Sequence, residues 1–402
     1  MEEMVFQIGP IRPPSEANSL LLRVTVNCPW NRCKFCMLYK KYDFHTRSVA
    51  EVKKDIDTMA ELRDRILQYK TANGWDIQAI NNEYQTLTTD DQRWCYQMVF
   101  RWMTEGDCNS IFLQDANTMC LRADWLAEII RYVRVKLPEI KRITSYGRAN
   151  TLAKITPEDY KMLKEAGLDR IHSGYESGSD KVLALIEKGC TQEEQIIGGR
   201  KVREAGIELS IYFMPGVGGR ELSDDNAIET AKVINAVNPN FVRLRTFVLR
   251  TGSLMEEVRD AGGWTEDTDM NKLLEIRKLL AHIDPTKANG RITSDHIINL
   301  LQEVNGDMDT DLPWMLDATV RTGLRDFRRR ELHIRAVRLR RRLLGAATRF
   351  WRFRDGRLTG FRAQRRADHA ARLLRRAARP GSILKLMADE GRQRFHKKLL
   401  RT

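Results

Sequence analysis

The stretch Cys28-Pro29-Trp30-Asn31-Arg32-Cys33-Lys34-Phe35-Cys36 contains three of the seven cysteines of this 402-residue chain. It follows an apolar run, residues 20–26, which predicts a buried strand that ends just before the first cysteine. Three thiolates at this spacing can converge on one metal centre. Three ligands are one fewer than a closed structural zinc site needs, and disulfides need an even count. An iron–sulfur cluster held by three cysteines would leave one iron free to bind another ligand.

The overall composition predicts a soluble globular protein, with 42% hydrophobic and 30% charged residues. We find no apolar run long enough to span a bilayer, and the acidic start Met1-Glu2-Glu3 does not resemble a signal peptide. The other four cysteines occur singly, as expected of reduced thiols. These features together predict a cytoplasmic location.

The net charge of +14 is unevenly distributed along the chain. Residues 321–402 contain 27 Lys and Arg against 6 Asp and Glu, whereas residues 1–320 contain 41 against 48. Within this basic tail, residues 332–350 place Leu and Ala at three- and four-residue spacing with Arg on the other faces, which predicts an amphipathic helix. Such a helix could bind an anionic membrane, RNA phosphates or a partner protein. A solvated, partly disordered tail is the alternative.

Strand and helix patterns alternate from residue 110 onward. Short apolar runs recur every 30-odd residues up to residue 247, with helical patterns between them, and this alternation predicts a parallel sheet with right-handed crossovers. Together with the strand over residues 20–27, six strands are expected. Helical patterns also fill an insertion around residues 40–108, and residues 256–320 are predicted to be helical. An open doubly wound sheet and a barrel both fit this periodicity.

Polar and glycine-containing loops follow the predicted strands, at the edge where parallel α/β structures bind ligands. The sixth strand ends with Arg243 and Arg245, which could neutralise a carboxylate or phosphate. Further along, Ser294-Asp295-His296 precedes a helical pattern over residues 297–301. In one interpretation these residues cap that helix, and in the other His296 faces a substrate at the mouth of a barrel.

The cysteine stretch resembles the signature of the radical S-adenosylmethionine (SAM) superfamily, in a Cys-x4-Cys-x2-Cys form. Residues 166–178 and 206–216 resemble the fourth and fifth strand regions of the same superfamily, in the group that includes oxygen-independent coproporphyrinogen oxidase and the MiaB/NifB-type enzymes. The resemblance implies a partial (β/α)6 TIM-type barrel. It divides the chain into four parts: a lead-in over 1–19, the core over 20–250, a helical extension over 251–320 and the basic tail over 321–402.

The resemblance also implies cofactors and a reaction. A [4Fe–4S] cluster would bind Cys28, Cys33 and Cys36, and SAM would bind the open iron. Reductive cleavage of SAM would give methionine and a 5′-deoxyadenosyl radical, which abstracts hydrogen from a substrate; a flavodoxin or ferredoxin would donate the electron. An anionic partner, RNA or a membrane surface, is expected to bind through the tail over residues 321–402.

Nine further residues occupy positions at which the superfamily binds SAM. Phe35 matches the aromatic placed against the adenine, and Gln114 and Asp115 lie at the position that meets the SAM amino group. Ser145, Tyr146 and Arg148 lie where the third strand meets the ribose or carboxylate. Glu176 lies at the fourth-strand polar position. Pro215 and Gly216 match the fifth-strand turn that approaches the adenine through its backbone.

Three functions are consistent with the sequence. The first is a radical SAM enzyme that acts on a small molecule, and the second is an RNA-modifying radical SAM enzyme whose tail contacts phosphates. The third is a non-catalytic protein that binds the cluster. For the cysteines themselves, a zinc site completed by a residue such as His45, or three plain reduced thiols, are the alternatives. The absence of a second cysteine cluster argues against methylthiolation.

Overall fold

The computed structural model describes residues 4–106 and 108–322. Its central element is an open sheet whose strands lie side by side in chain order. Strands β1 to β7 are parallel, and β8 pairs antiparallel with β7. The strands are β1 Leu20–Arg23, β2 Ser110–Gln114, β3 Arg142–Tyr146, β4 Arg170–Glu176, β5 Glu208–Phe213, β6 Phe241–Leu244, β7 Arg291–Thr293 and β8 Gly306–Asp307.

The order of the strands decides between the two folds that the periodicity allows. A doubly wound sheet reverses its strand order at a switch point, whereas a (β/α) barrel adds each strand beside the previous one. Here the order never reverses, and β1 and β8 are the two ends of the sheet. The fold is therefore an α/β partial barrel, as predicted.

Helices connect the strands and pack on one another around the sheet. No helix within the described residues is long and apolar enough to cross a membrane. The α-helices are α1 Val49–Leu67, α2 Ile77–Thr86, α3 Asp90–Glu105, α4 Ala123–Lys136, α5 Ala149–Lys154, α6 Pro157–Ala166, α7 Asp180–Leu185, α8 Gln192–Glu204, α9 Ser223–Val237, α10 Leu254–Asp260, α11 Asp269–His282 and α12 over residues 312–322. Short 3-10 turns lie at Pro14–Glu16 and Thr118–Cys120, and two small ribbons pair Thr25–Val26 with His45–Thr46 and Lys70–Thr71 with Gly74–Trp75.

The helix α1 shows how local sequence fixes these elements. Ser48 and Glu51 form a reciprocal capping box at its first turn, which satisfies two otherwise unpaired backbone N–H groups. Apolar side chains at three- and four-residue spacing form its buried face, among them Val52, Ile56 and Met59. The helical patterns predicted for the insertion around residues 40–108 are thus confirmed by α1, α2 and α3.

The prediction that residues 256–320 are helical is wrong for two segments. Residues 291–293 and 306–307 form the strands β7 and β8, and Ile292 in β7 is buried. The reason is long-range: without β7, the edge of β6 would expose a row of unpaired backbone groups. The expected helix over residues 297–301 is also absent, because this segment forms turns and the Ser294 hydroxyl donates across it to the Leu301 carbonyl at 2.5 Å.

The predicted lead-in packs closely on the N-terminal edge of the sheet. Glu16, fully buried, accepts hydrogen bonds from Ser19 at 2.5 Å and from Arg142 at 3.1 Å, and lies 3.2 Å from the ring of His172. Burial alone would raise the pKa of Glu16, but His172 and Arg142 outweigh it, so the pKa is lowered. A carboxylate therefore closes the lower end of the partial barrel.

The basic tail, with its predicted amphipathic helix, lies outside the described residues.

Candidate functional site

The cysteine loop, residues 28–36, leaves the C-terminal end of β1 after the short strand Thr25–Val26. Asn27 and Asn31 adopt left-handed backbone conformations, with φ of 68° and 47°, which asparagine tolerates better than most residues. The Cys36 N–H donates to the Cys33 carbonyl at 3.2 Å, and the Asn31 N–H points at the Cys28 sulfur at 3.5 Å. The loop thus curls around its own thiols.

The three thiols are free, and that of Cys33 is buried. Burial raises the pKa of Cys33, and the neighbouring Cys36 and Cys28 add to this rise, while Lys188 and Arg148 oppose it. Cys28 and Cys36 are therefore close enough to Cys33 to act on its ionisation, and two cations lie beside it. This donor set fits an iron–sulfur cluster, in which thiolates are the protein ligands and nearby positive charge offsets the negative charge of the centre.

A single-ion site is not formed by these side chains. Within residues 4–106 and 108–322, no three His, Cys, Asp or Glu side chains converge closely enough to hold one metal ion. His45, the suggested fourth zinc ligand, is exposed in its ribbon. An iron–sulfur cluster spreads its ligands over several iron atoms, so it does not require this convergence.

Asp115 holds both ends of the cysteine loop. Its fully buried carboxylate accepts hydrogen bonds from Arg23 at 2.7 and 2.9 Å and from the Asn27 N–H at 3.1 Å. Its other oxygen accepts from the Tyr39 hydroxyl at 3.1 Å. Asn27 immediately precedes Cys28, and Tyr39 follows Cys36 by three residues, so one side chain fixes both flanks. Asp115 was predicted to meet SAM, and the structure shows it occupied by these internal contacts.

Gln114 is likewise engaged inside the protein. Its side-chain oxygen accepts from the Gly9 N–H at 2.8 Å, and its amide nitrogen donates to the carbonyls of Ile11 at 2.6 Å and Gly9 at 3.2 Å. These contacts tie the lead-in to the end of β2. The predicted contact of Gln114 with SAM stays a prediction.

A second segment, residues 186–190, supports the opposite side of the cysteine loop. The Trp30 indole donates to the Glu187 carbonyl at 2.8 Å, and the Lys34 N–H donates to the Ile186 carbonyl at 2.9 Å. Gly189 has a φ of 67°, and a Cβ atom there would lie 2.3 Å from the Trp30 ring. Only glycine allows this approach. The guanidinium of Arg148 stacks 5.1 Å from the centre of the Trp30 ring and donates to the Lys188 carbonyl at 2.6 Å.

Glu176 and Lys188 form a buried ion pair next to the thiols. Their side chains are each about one-tenth exposed, and Lys188 Nζ lies 3.0 Å from Glu176 Oε1. Burial would lower the pKa of Lys188, but Glu176 and Cys33 outweigh it, so the pKa is raised and the lysine is charged. Lys188 also lies 5.6 Å from the centre of the Phe35 ring. The second carboxylate oxygen of Glu176 is buried without a hydrogen-bond partner and is available to a ligand.

The turn after β5 has its backbone polar groups satisfied internally. The Pro215 carbonyl accepts from the Phe247 N–H at 2.9 Å, and the Gly216 N–H donates to Glu275 at 3.0 Å. Glu275 also accepts from Asn226 at 2.6 Å and contacts the Ser223 hydroxyl at 2.7 Å. The predicted approach of this turn to the adenine stays a prediction. Glu275 was missed from the sequence, although a carboxylate among the buried positions of α11 was a usable signal.

Glu275 should make the stability of the chain depend on pH. Burial raises its pKa from 4.5 to about 7, against its hydrogen bonds with Ser223, Gly216 and Asn226. The folded chain therefore keeps a proton that the unfolded chain releases near pH 4.5, so stability falls as pH rises from about 4.5 to 7. We expect this group to contribute a loss of about 3 kcal/mol across that range. Urea unfolding of wild type and Glu275→Gln at several pH values between 5 and 8 measures it.

Only the difference between the two proteins tests this expectation, because other groups also titrate. Glu257→Gln, which removes an exposed carboxylate of α10, is the matched control and should keep the wild-type slope. Equal slopes for wild type and Glu275→Gln would show that the Glu275 carboxyl is ionised in the folded state.

Ser145 and Tyr146 lie at the end of β3. Ser145 is fully buried, and its hydroxyl donates to the Tyr146 carbonyl at 3.2 Å. The Tyr146 ring packs edge-on against Phe112, with 4.9 Å between ring centres, and lies 6.2 Å from the ring of His172. Tyr146 therefore points into the partial barrel, above the buried Glu16–His172 pair. The sequence predicted Tyr146 as a SAM-binding residue but gave no sign that its ring packs inside the barrel.

Comparison with known proteins identifies a family match within the α/β sheet of this chain. Residues 99–231 match the model of the radical SAM superfamily. This region, which includes β2 to β5 and does not include the cysteine loop, is similar to the radical SAM superfamily, whose members use a [4Fe–4S] cluster and SAM. The specific subgroup suggested by the sequence stays a prediction.

One curated relative is 4′-phospho-dehydrooxetanocin synthase from Priestia megaterium, which is 33% identical over 115 residues. That match covers 29% of this chain and only 13% of the relative. Among solved structures, the radical SAM methyltransferase TsrM from Kitasatospora setae with cobalamin and a [4Fe–4S] cluster bound is 14% identical, with a TM-score of 0.45 over 76% of this chain and 60% of that one. Methylornithine synthase (PylB) is 12% identical, with a TM-score of 0.40 over 73% and 77%.

Proposed function

We propose that this protein is a radical SAM enzyme that acts on a small molecule, with Cys28, Cys33 and Cys36 as the ligands of its [4Fe–4S] cluster. When bound, the cluster and SAM supply reductive cleavage of SAM to methionine and a 5′-deoxyadenosyl radical. One observation carries the proposal: the three thiols are fixed between Asp115 and residues 186–190, beside two cations, at the edge of the sheet where ligands bind.

The residues around the thiols position and shield such a site. Asp115 sets the entry and exit of the cysteine loop, and Trp30 closes the loop against Gly189. Lys188 and Arg148 place positive charge next to the sulfurs, which favours the thiolate forms that ligate iron. Glu176 balances Lys188 and keeps one oxygen for hydrogen bonding to a bound ligand. We propose that Phe35, Ser145, Tyr146, Arg148 and Glu176 contact SAM or the substrate.

A small-molecule substrate is favoured over RNA by the interior of the barrel. Tyr146, for example, packs inside the barrel against Phe112 and near His172. The name of the curated relative from Priestia megaterium also describes a small phosphorylated molecule. RNA modification through the basic tail stays the second candidate, and so does an anionic membrane partner. A flavodoxin or ferredoxin as electron donor and a cytoplasmic location also stay predictions.

The decisive experiment is anaerobic reconstitution of the full chain with iron and sulfide, followed by reduction with dithionite in the presence of SAM. We expect the electron paramagnetic resonance signal of a reduced [4Fe–4S] cluster, a change in that signal on adding SAM, and formation of 5′-deoxyadenosine. A loaded cluster that binds SAM without forming 5′-deoxyadenosine would support the non-catalytic alternative and overturn the enzyme proposal. RNA and liposome binding with and without residues 321–402, over a salt series, tests the role of the tail.

A further inference from the structure

The mouth of the partial barrel carries a second polar cluster, away from the cysteine loop, at the ends of β5, β6 and β7. Arg243 lies inside the barrel, 4% exposed, where it donates to the Ser210 hydroxyl at 3.0 Å and pairs with Asp295 at 2.5 Å. Arg245 is two residues further along, and its N–H donates to the Phe213 carbonyl at 2.9 Å, which continues the ladder between β5 and β6. Because side chains alternate along a strand, Arg245 faces the same interior as Arg243.

The two arginines differ in their charge balance. Asp295 neutralises Arg243, whereas Arg245 has no ion-pair or side-chain hydrogen-bond partner within residues 4–106 and 108–322. The pKa of His296 is lowered by burial and then by Arg245. Burial raises the pKa of Tyr146 and Tyr212, and Arg245 opposes both rises. The register of the sheet pairs Tyr212 with Arg243, two residues before Arg245, and His296 follows the Asp295 that pairs with Arg243. Half-buried Arg245 adds positive charge near Tyr146, Tyr212 and His296, while the carboxylates of Asp295 and Glu176 also act on Tyr212.

Two hydrogen-bond donors accompany Arg245. Tyr212 is only 8% exposed, and its buried hydroxyl has no hydrogen-bond partner within the described residues. His296 accepts from the Ile298 N–H through Nδ1 at 3.2 Å, so a neutral ring carries its proton on Nε2 and presents an N–H. Asn299 holds this segment on β6, since its amide donates to the Leu244 carbonyl at 2.8 Å.

We propose that Arg245, Tyr212 and His296 form the binding site for an anionic group of the substrate, a phosphate or a carboxylate. An unpaired guanidinium with two converging donors matches the several acceptor oxygens of such a group, and an arginine binds them through two parallel hydrogen bonds. This inference rests on the proposed function, because it names the substrate class of the same site.

The test measures binding of inorganic phosphate and of acetate to the reconstituted full chain, by isothermal titration calorimetry at fixed ionic strength. The wild type should bind at least one of the two anions, and Arg245→Gln should weaken that binding at least tenfold. Arg245→Lys keeps the positive charge but lacks the paired N–H donors of the guanidinium, so it should bind the anion more tightly than Arg245→Gln and less tightly than the wild type. Arg131→Gln is the matched control, because it removes one exposed arginine of α4 and so lowers the net charge by the same amount. Both variants keep the basic tail, so anion binding by the tail is the same in each.

A competition arm separates the substrate's anion from the carboxylate of SAM itself. If the site serves the substrate, the phosphate affinity of the wild type stays the same at saturating SAM. Loss of anion binding as SAM is added would assign Arg245 to the SAM carboxylate and overturn the proposal. Equal binding by wild type and Arg245→Gln, or no anion binding by a correctly folded wild type, would also overturn it.

Formation of 5′-deoxyadenosine by the wild type is measured in parallel, without added anion. A wild type that cleaves SAM but fails the anion test leaves the proposed function standing and removes only this inference. A wild type that binds phosphate at Arg245 but never cleaves SAM removes the proposed enzyme function and shows an anion site in a non-catalytic protein. Circular dichroism confirms that Arg245→Gln is folded before its affinity is interpreted.

Discussion

Anaerobically reconstituted Cys33→Ser protein is expected to lose its [4Fe–4S] signal and to form no 5′-deoxyadenosine above background. Cys33 is the most buried of the three loop cysteines, and the positive charges of Lys188 and Arg148 act on its thiol. A serine hydroxyl keeps the size of the side chain but is a poor ligand for iron compared with a thiolate. Since three ligands already leave one iron open, removal of one leaves too few to hold the cluster. Iron and sulfide content, together with product formation, measure the loss.

Cys95→Ser is the matched control for this substitution. Cys95 is also buried, and its sulfur lies 3.4 Å from both the N–H and the carbonyl of Phe6, contacts that a hydroxyl can also make. This variant should retain the iron content and the product formation of the wild type. If Cys33→Ser kept a full cluster, another residue would have to replace it as the ligand, and the assignment of Cys28, Cys33 and Cys36 would fail.

Asp115→Ala is expected to destabilise the folded chain by about 3–5 kcal/mol, the usual cost of removing one partner of a buried ion pair. The substitution leaves Arg23, whose side chain is 17% exposed, without its carboxylate. It also removes the acceptor for the Asn27 N–H and for the Tyr39 hydroxyl, on either side of the cysteine loop. Because supporting contacts of this kind typically change metal affinity 10- to 100-fold, we expect cluster loading to fall by about that factor.

Two measurements separate stability from positioning in this variant. Chemical unfolding of the cluster-free chain gives the stability loss, and iron content after reconstitution below the unfolding range gives the loading. Asp124→Ala removes an exposed carboxylate that pairs with Arg122, and a surface pair of this kind contributes about 0–1 kcal/mol, so it should change neither quantity much. A folded Asp115→Ala protein that loads and retains its cluster like wild type would show that Asp115 supports only the fold.

Local signals in the sequence were sufficient for most of the secondary structure. The apolar spacing of α1 and the N-cap of α3 predicted these two helices, and the alternation of strands and helices predicted a parallel α/β sheet. These signals work because capping and amphipathic spacing act over three or four residues. Strands β7 and β8 were missed because each is only two or three residues long and exists through pairing with its neighbour.

The sequence by itself determined the candidate ligands of this protein: three cysteines in nine residues are the thiolate donors of the proposed cluster, since ligand type and number are properties of the local chain. Only the tertiary structure decided what surrounds them. Asp115 reaches Asn27 across 88 residues, and Glu275 reaches the Gly216 N–H across 59. It likewise decided that Asp295 neutralises Arg243 and that Arg245 stays unpaired within the described residues. Charge pairing and burial depend on which strands the fold places side by side, and no local pattern encodes that arrangement.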